Sequence, residues 1–503
     1  MTNSPIRSIV IVGGGTAGWM SAAAFSRFLD DGQRTITLVE SDQIATIGVG
    51  EATIPPIREF NQRIGVDEKE FLAATGATIK LAVEFVGWGK SSESYLHPFG
   101  ELGQDFEGVS FHQFWLKHRG GRIEDYFLSS ALARRNRFVH PSTDPRSPIG
   151  RLIYAYHFDA GLYAAFLRKM AKARGVARIE GKITRPVLDP ETGHVLSVEL
   201  EDGRSVEGDL FIDCSGFRSI LLGQAMDVGF HDWRRWLPCD RAVAVPSARS
   251  APLTPFTRAT AVEAGWQWRI PLQHRTGSGL VYSSAFLNED QAEQMLLRNL
   301  DGKPLEQPFK IRIDNGFRHR LWERNVVAIG LSGGFIEPLE STGIHLIQTA
   351  ISKLLWLFPD RKFNPSLRDQ FNKLMVEQYE YIRDFIVLHY RANQREEPFW
   401  RELQTMALPD SLSEKLELFR SGGRIRRYDH DLFGVQSWAA VLLGQNVEPE
   451  GYDPLVDSMD DGKVTAAMGQ IADTWRALAE RAPDHSDAVA ELCRGMPTPP
   501  LEG

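Results

Sequence analysis

A glycine-rich turn near the start of the chain constrains its fold more than any other feature. A β-branched apolar run, residues 6–12, leads into GGGTAG, and residues 19–29 then carry apolar side chains at helical spacing. A second apolar run, TITLVE, ends in an acid about twenty residues after the glycines, as a strand–helix–strand nucleotide-binding unit requires. Without side chains the backbone can approach a pyrophosphate, and the acid can bind a ribose. The turn therefore predicts a dinucleotide site formed by Gly13, Gly15, Thr16, Ala17, Gly18 and Glu40.

Two later segments return to the same kind of structure. Residues 194–216 predict two strands around an Asp-Gly turn and a further apolar strand, and residues 325–334 repeat a strand followed by glycines. The single glycine fingerprint favours one tightly held FAD, whose pocket Gly330 and Gly333 would complete. We expect an α/β fold with a Rossmann-like FAD-binding module and an inserted antiparallel sheet over residues 1–364. A mainly helical substrate-pocket region would follow over residues 365–503.

Charge and cysteine content argue against several other classes of protein. With 503 residues, the chain is long enough for two or three domain-sized units. Its net charge of -8 disfavours a nucleic-acid surface, and no stretch approaches the roughly 20 apolar residues of a membrane helix. The three cysteines are widely spaced and form no disulfide or metal-binding pattern. We expect a cytoplasmic protein with no nucleic acid, membrane or metal partner.

Two tryptophans alternate in GWQWRIP, residues 265–271. Side chains at i and i+2 of a strand share a face, so Trp266 and Trp268 should form one flat apolar wall, closed off by Ile270 and Pro271. A core strand that shows its aromatic face is the ordinary explanation. The local pattern leaves open whether this wall faces a core or a reaction.

Lys80 lies in ATIKLAVEFVGW, residues 77–88. The alternation predicts one strand with Lys80 on its polar face, where a lysine is usually solvated. Taken alone, the position therefore gives little reason to assign Lys80 a chemical role.

The segment GGFIEPLESTGI, residues 333–344, predicts the start of a helix. Its proline fixes a turn, Ser341 or Thr342 can cap, and Gly343 opens the helix, whose N-terminus attracts an anion. A well-capped helix explains the same pattern, with Glu337 and Glu340 as ordinary first-turn acids.

Together these segments resemble the tryptophan halogenase family of flavin-dependent halogenases. The resemblance covers nearly the whole chain and is carried by GGGTAGW, the lysine of ATIKLAVEFVGW, HPFG at 97–100, GWQWRIP, GGFIEPLESTGI and DFIVLHY at 384–390. The pattern GWxWxIP is specific to these enzymes and distinguishes them from the flavin monooxygenases that share the fold. The resemblance implies FAD, used as FADH2, with O2 and chloride or bromide as co-substrates.

The resemblance also implies roles for individual residues. Hypohalous acid made at the flavin would travel through a tunnel to a separate substrate pocket, where Lys80 binds it or forms a haloamine. Glu340 would stabilise the cationic ring intermediate and accept its proton. The other implied residues are Thr342 and Gly343 at the halide, Trp266, Trp268, Ile270, Pro271 and Ser341 along the tunnel, and His97 and Phe99 on one face of the substrate ring.

The chain departs from the family pattern where free tryptophan would bind. Members that halogenate tryptophan hold its amino acid group with two tyrosines and an acid, whereas residues 426–444 contain Tyr428 alone and Gly434 at the stacking position. We therefore expect an electron-rich aromatic substrate of the indole type that lacks this group. The alternatives are a flavin-dependent monooxygenase and a non-catalytic flavoprotein. Reduced flavin would come from a separate NADH-dependent flavin reductase, and a homodimer is left open.

Overall fold

The structure, a computed structural model, describes residues 4–44, 50–144 and 146–497. The α-helices in these residues are α1 (Thr16–Phe28), α2 (Pro56–Arg63), α3 (Glu68–Ala74), α4 (Phe111–His118), α5 (Leu128–Ala133), α6 (Ala160–Ala173), α7 (Glu289–Arg298), α8 (Gly343–Trp356), α9 (Pro365–Arg391), α10 (Pro398–Thr405), α11 (Asp410–Gly422), α12 (Val435–Gly444), α13 (Asp461–Arg481) and α14 (His485–Leu492). None of the helices in the described ranges is long and apolar enough to cross a membrane.

The strands of the same residues are β1 (Ser8–Val12), β2 (Thr35–Glu40), β3 (Glu51–Ala52), β4 (Thr78–Lys80), β5 (Ala82–Val86), β6 (Ser94–Pro98), β7 (Ala155–Phe158), β8 (Ala177–Glu180), β9 (Ile183–Leu188), β10 (Val195–Leu200), β11 (Ser205–Glu207), β12 (Leu210–Asp213), β13 (Phe230–Asp232), β14 (Arg241–Ala248), β15 (Phe256–Val262), β16 (Gly265–Pro271), β17 (Arg275–Tyr282), β18 (Phe309–Arg312), β19 (Gly316–Arg318), β20 (Trp322–Glu323), β21 (Val326–Ala328) and β22 (Gly334–Phe335).

A six-stranded sheet contains the glycine turn. Its order is β20-β21-β12-β1-β2-β8, and all neighbours pair in parallel except the edge strand β20. The strand before the glycines, β1, lies between the strand of the acid and the late strand β12. Helix α1 packs against this sheet through small residues, of which Ala22, Ala23 and Ala24 are fully buried. Small side chains let the helix lie close to the strands. Because α1 follows β1 in the chain, its N-terminus lies at the carboxyl ends of the parallel strands.

A seven-stranded sheet carries GWQWRIP. Its order is β18-β14-β17-β16-β15-β5-β6, and the pairing is antiparallel except between β15 and β5. The tryptophan strand β16 lies inside the sheet, between β15 and β17. The inserted antiparallel sheet that the alternating sequence predicts is therefore present.

The prediction of one continuous strand around Lys80 is wrong. The chain breaks at Leu81: β4 pairs with β7 in a separate three-stranded sheet, and β5 joins the seven-stranded sheet. Alternation continues across the break, so the sequence pattern contained no sign of it. The break places Lys80 at the end of a short strand where two sheets meet.

The 27-residue helix α9 begins the helical part of the chain. Asn364 caps it through a hydrogen bond from the Ser366 N–H to its side chain at 2.9 Å, and Pro365 occupies the first helical turn. The helix starts where the sequence predicts, and the division into two regions at this point stays a prediction. Its C-terminal half is almost entirely buried. It includes Phe385, which lies beside His97, and His389, which lies beside Glu340.

Candidate active site

The glycine turn follows β1 and opens α1. Gly13 has a φ of 111°, and a Cβ there would lie 2.3 Å from the backbone oxygen of Cys214. A Cβ on Gly18 would lie 1.9 Å from the backbone oxygen of Gly13. Gly15, at the N-cap of α1, has no neighbour within 4 Å of its Cβ position. One side of the turn is thus packed against backbone, while the other is open at the helix N-terminus, a position that can bind a phosphate.

Gly330 lies against the start of α1, which begins with Thr16 and Ala17, whereas Gly333 packs against a different part of the chain. Gly330 has a φ of 81°, and a Cβ there would lie 2.8 Å from the Cβ of Ala17. A Cβ on Gly333 would lie 3.0 Å from the Leu321 side chain. The missing side chain of Gly330 therefore lets its backbone approach the N-terminus of α1, while that of Gly333 leaves room for Leu321 and Ala328.

Glu40 ends β2 beside the turn. Its Oε2 accepts a hydrogen bond from Trp19 Nε1 at 3.2 Å, and its Oε1 accepts one from Arg178 Nε at 2.5 Å. A Cβ on Gly14 would lie 1.5 Å from Oε2, so Gly14, which the sequence did not single out, must also lack a side chain. The predicted ribose contact would share this carboxylate with Arg178 and stays a prediction. Gly13, Gly15, Gly18, Glu40 and Gly330, here called the nucleotide-binding edge, fit a dinucleotide such as FAD.

The two indoles of GWQWRIP differ from each other. Trp266 and Trp268 are 1% and 6% exposed, and their ring centroids lie 6.1 Å apart at an interplanar angle of 57°. Both rings lie on one strand face, but they are tilted, so the expectation of a flat wall is wrong. Trp266 Nε1 donates to Glu337 Oε1 at 3.0 Å, whereas Trp268 Nε1 is buried and has no protein partner within the described ranges. A Cβ on Gly279 would lie 2.1 Å from the Trp268 ring, so glycine on β17 makes room for it.

Glu337 is a buried carboxylate to which the sequence gave only the ordinary role of a first-turn acid. It is 0% exposed, and its Oε1 also accepts a hydrogen bond from the Tyr390 hydroxyl at 2.5 Å. Its Oε2 has no partner among the described side chains. Burial raises the pKa of Glu337 to about 7, although the hydrogen bonds from Tyr390 and Trp266 oppose this shift. The hydrogen bond between Glu337 and Trp266 forms only in the folded protein, so the sequence contains no sign of this role for Glu337.

Lys80 is fully buried at the end of β4. Its Nζ donates to Ser341 Oγ at 2.8 Å and lies 5.3 Å from the centre of the Phe99 ring. Two residues earlier, Thr78 Oγ1 donates to the Pro271 carbonyl at 2.7 Å, which ties the lysine strand to the end of GWQWRIP. Burial lowers the pKa of Lys80 to about 7, while the nearby charge of Glu340 favours the protonated form. The expectation of a solvated lysine on a polar face does not hold.

Glu340 ends a short 3-10 helix, Pro338–Glu340, and is 1% exposed. His97 Nδ1 lies 2.9 Å from both carboxylate oxygens, and His389 Nε2 lies 2.9 Å from Oε1. Burial alone would raise the pKa of Glu340, but the charge and hydrogen bond of His97, together with the adjacent imidazole of His389, hold it at about 2. His389 belongs to DFIVLHY, and no role was predicted for it. The two histidines keep a buried carboxylate ionised.

The residues after Glu340 form an opening at the start of α8. Ser341 has a φ of 61°, Thr342 occupies the N-cap position, and Gly343 is the first helical residue. Thr342 is 0% exposed, and its Oγ1 makes no hydrogen bond to any described residue, so it does not cap the helix as predicted. A Cβ on Gly343 would meet nothing within 4 Å. A free buried hydroxyl at the positive end of a 14-residue helix fits a halide.

His97 lies in β6, and Phe99 directly follows the end of this strand. The His97 ring lies 5.5 Å from Phe385 and 6.0 Å from Phe433 between centroids, and Phe433 stacks on Phe385 at 3.8 Å. Gly434, placed at the stacking position by the sequence, is instead the N-cap of α12. The ring of Phe433, its neighbour in the chain, fills this side of His97.

Lys80, His97, Phe99, Glu340 and Ser341, here called the Lys80 cluster, thus come together from β4, β6 and the start of α8. The structure adds Glu337, His389 and Phe433 to the residues that the sequence singled out. Ile270 is buried in the core next to Pro271, whose carbonyl accepts the hydrogen bond from Thr78 on the lysine strand. The arrangement contains a lysine of lowered pKa and an ionised carboxylate beneath aromatic rings, a combination typical of a reaction site.

The chain is similar to known halogenases over nearly its whole length. The tryptophan halogenase family profile matches residues 8–461. BrvH, a flavin-dependent halogenase from Brevundimonas sp. BAL3, is 45% identical, with a TM-score of 0.93 and coverage of 97% of this chain and 99% of that chain. Xcc4156, a flavin-dependent halogenase from Xanthomonas campestris, is 44% identical, with a TM-score of 0.94 and coverage of 99% and 100%. The tryptophan 6-halogenase SttH of Streptomyces toxytricini is 36% identical over 518 residues, which cover 96% of this chain and 98% of SttH.

These similarities confirm the expected α/β fold and decide between the candidate activities. They favour halogenation over the monooxygenase and the non-catalytic flavoprotein that the sequence left as alternatives. The chain therefore belongs to the tryptophan halogenase family: it is an enzyme, a flavin-dependent halogenase that uses FADH2, O2 and a halide.

Proposed function

We propose that the enzyme chlorinates or brominates an electron-rich aromatic compound of the indole type, with Lys80 delivering the halogen and Glu340 stabilising the ring cation. The observation that carries the proposal is the buried pair of Lys80, hydrogen-bonded to Ser341, and Glu340, held by two imidazoles. As a member of its family, the enzyme acts on a small aromatic compound and receives FADH2 from a separate flavin reductase. NADH as the source of its electrons, and assembly as a homodimer, remain expectations from the sequence.

Bound at the nucleotide-binding edge, reduced flavin supplies with O2 the oxidising power that converts a halide to hypohalous acid. The open side of Gly15 and the α1 N-terminus receive the pyrophosphate, and Glu40 with its Arg178 partner lies where the ribose is expected. Thr342 Oγ1 and the N-terminus of α8 hold the halide, because a buried hydroxyl and free helix N–H groups can bind an anion without a full positive charge. These assignments are supported by the missing side chains and by the free hydroxyl.

Lys80 receives the hypohalous acid. With a pKa lowered to about 7 by burial, a large fraction of its amine is uncharged near neutral pH. An ammonium can donate hydrogen bonds to hypohalous acid. An uncharged amine can also attack the halogen, so that the oxygen–halogen bond breaks, hydroxide leaves with the amine proton as water, and a haloamine forms. Ser341 holds the side chain in one position in either form, because its hydroxyl accepts from the nitrogen at 2.8 Å. Lys80 is thereby kept beside Phe99, on the substrate side.

Glu340 acts after the halogen has been added to the ring. Its pKa, held at about 2, keeps it ionised, so it can stabilise the positive charge of the ring intermediate and then accept the departing proton. His97 and His389 position the carboxylate from two sides. The proton acceptor therefore faces the ring as a carboxylate of fixed orientation.

Trp266 and Trp268 separate the two sites, together with Ile270 and Pro271. Their burial and the tie from Thr78 to the Pro271 carbonyl support a rigid boundary of a passage from flavin to Lys80. Such a wall excludes the organic substrate from the flavin, so that the oxygen of the oxidant is not transferred to the ring directly.

The substrate is an indole without an anchored amino acid group. Tyr428, the lone tyrosine of its segment, stacks on Tyr381 at 5.5 Å and 6°, and residues 426–444 offer no second tyrosine to hold a zwitterion. Phe433, Phe99 and His97 instead present rings, which favour a flat, electron-rich molecule through offset stacking. The tryptophan halogenases among the enzyme's relatives support an indole ring in the substrate. The absence of the tyrosine pair supports an indole without the amino acid group.

The test is product formation with FAD, a flavin reductase, NADH and either chloride or bromide, measured by mass spectrometry for indole, 3-methylindole, tryptophan and phenol. We expect halogenated indoles, with a higher kcat/KM for indole than for tryptophan. A kcat/KM for tryptophan well above that for indole would overturn the substrate assignment. Hydroxylated product that forms without halide would contradict halogenation as the reaction.

A further inference from the structure

Residues 424–434, here called the connecting segment, join α11 to α12 and contain a buried ion pair. Lys415, on α11, donates to Asp431 Oδ2 at 2.8 Å, and the two side chains are 3% and 2% exposed. The Tyr428 N–H donates to the same oxygen at 3.0 Å. Removing two charges from water costs free energy that an ion pair alone often does not recover, so further contacts must stabilise this arrangement.

Three aromatic rings supply these contacts. The ammonium of Lys415 lies 4.4 Å from the centre of the Trp438 ring, 4.8 Å from that of Tyr428 and 5.8 Å from that of Tyr381. An ammonium within about 6 Å of a ring is attracted by its electron-rich face. Lys415 is therefore a permanent occupant of an aromatic cage built by the chain itself.

The ion pair fixes the connecting segment to the wall of the substrate pocket. Tyr428 stacks on Tyr381 of α9, and Gln378 of α9 donates from Nε2 to the His430 carbonyl at 2.8 Å. Two residues beyond Asp431, Phe433 stacks on Phe385 at 3.8 Å and faces His97, which binds Glu340. The cage and the pocket also share Trp438, whose ring lies 5.1 Å from Phe385.

We propose that Lys415 is a specificity-determining residue that acts through Asp431. By neutralising the buried acid of the connecting segment, it removes the group that would attract an ammonium-bearing substrate and holds Phe433 in place to stack on an uncharged ring. The inference rests on the proposed aromatic substrate and explains how the pocket rejects the charged arm of an amino acid or an amine. A carboxylate freed beside an aromatic wall would favour a cation instead.

The test compares tryptamine with indole-3-acetamide, two indoles of similar size that differ in charge. In Lys415→Met, which keeps an apolar stem of similar length, the ratio of kcat/KM for tryptamine to that for the amide should rise about tenfold. In Asp431→Asn, which leaves the buried cation, the ratio should fall by a similar factor. In the double variant, which has neither charge, the ratio should return to within about threefold of wild type, while KM for both compounds rises because the segment is no longer held. A ratio unchanged in either single variant would overturn the proposal.

Arg395→Met is the matched control. It removes the cation of an ion pair beyond the end of α9, Arg395 with Glu397, whose guanidinium lies 5.5 Å from the centre of the Trp400 ring rather than against the pocket rings. It should lower the melting temperature without changing the ratio, and a shift equal to that of Lys415→Met would overturn the specific role of Lys415. If Lys415→Met does not fold, Asp431→Asn and the double variant decide.

Failure of the proposed substrate can be recognised separately. Wild-type enzyme that halogenates neither indole, with chloride or bromide, would show that the substrate class is wrong. In that case, amide hydrogen exchange in residues 424–434 measures directly how firmly the Lys415–Asp431 ion pair holds the connecting segment. Faster exchange in Lys415→Met than in Arg395→Met supports the anchoring of the segment, and equal exchange overturns it.

Discussion

The nucleotide-binding edge and the Lys80 cluster are built in opposite ways. At the edge, the required property is the absence of side chains: Cβ atoms on Gly13 and Gly18 would lie 2.3 and 1.9 Å from backbone oxygens. In the Lys80 cluster, the required property is a set of buried polar partners, such as Ser341 on the lysine and His97 on Glu340. The first region depends on backbone shape, and the second depends on charges in a medium of low dielectric constant.

This difference predicts how each region fails. Adding one methyl group to the edge should impair folding or cofactor binding, and it should leave the protonation of Lys80 and Glu340 unchanged. Removing one partner from the cluster changes charge and proton transfer, and it leaves the cofactor site intact. Oxygen consumption and product formation should therefore separate in the cluster variants and decline together in the edge variants.

The largest effect is expected for Lys80→Ala. Halogenated product should fall by about a hundredfold or more, since one positioned group in a reaction site contributes at least this factor. FAD binding and flavin-dependent oxygen consumption should stay near wild type, because Lys80 contacts Ser341 and Phe99 rather than the glycine turn. Product is measured by mass spectrometry and oxygen with an electrode. Halogenation above a tenth of the wild-type rate would remove Lys80 from the mechanism.

Two alanine substitutions in the glycine turn should come next and differ from each other. Gly18→Ala introduces a Cβ 1.9 Å from a backbone oxygen, which should lower stability by about 1–3 kcal/mol even without FAD. Gly15→Ala points its Cβ into open space, so apo stability should hold while the FAD dissociation constant rises about tenfold or more. Melting curves with and without FAD distinguish the two. Equal FAD affinity in Gly15→Ala and wild type would show that the cofactor does not approach this side of the turn.

The sequence predicted the edge better than the cluster for a physical reason. Strand, turn and helix from Ser8 to Phe28 are contiguous, and glycine at fixed spacing has few other uses there. The Lys80 cluster joins elements that are hundreds of residues apart, and alternation in residues 77–88 did not show that the chain breaks at Leu81. Family resemblance identified Lys80 and Glu340, because local periodicity gave them only ordinary roles.

The partners in the cluster were harder to find than its reactive residues. Glu337 looked like a first-turn acid, but it binds the Trp266 nitrogen and the Tyr390 hydroxyl, a contact that only the packing of α9 on β16 creates. Phe433 was missed because the resemblance placed the neighbouring Gly434 at the stacking position, whereas it is the Phe433 ring that stacks on Phe385. A pattern in the chain shows which faces are apolar, but it does not show which of them meet.

Glu337 should make stability depend on pH. The folded protein holds the proton of this carboxyl up to a pKa of about 7, whereas the ordinary value is 4.5. Its stabilising contribution is therefore fully present below about pH 4.5 and is lost as the pH rises through about 7. Between these values the wild-type free energy of unfolding should fall more steeply with pH than that of Glu337→Gln, by up to about 1.4 kcal/mol per pH unit. Urea unfolding at several pH values measures the difference, and parallel curves would contradict the raised pKa.

The smallest effect is expected for Trp268→Phe, which addresses the boundary between the two regions. Trp268 Nε1 has no protein partner among the described residues, so phenylalanine loses no hydrogen bond, and folding and FAD occupancy should be retained. If the ring only packs a core, all activities should fall with the folded fraction, and truncation to alanine should cost roughly 3–5 kcal/mol.

A guarding role predicts a different result for the same variant. Product formed per oxygen consumed should fall about two- to threefold in well-folded, FAD-loaded Trp268→Phe, because intermediate decays before it reaches Lys80. Trp266→Phe is the matched comparison: it also removes the hydrogen bond to the buried Glu337 carboxylate and should lower the melting temperature more. The ring substitution should not create an efficient hydroxylase, since the substrate still binds beside Lys80. An unchanged ratio in folded Trp268→Phe would show that this indole packs a core and guards nothing.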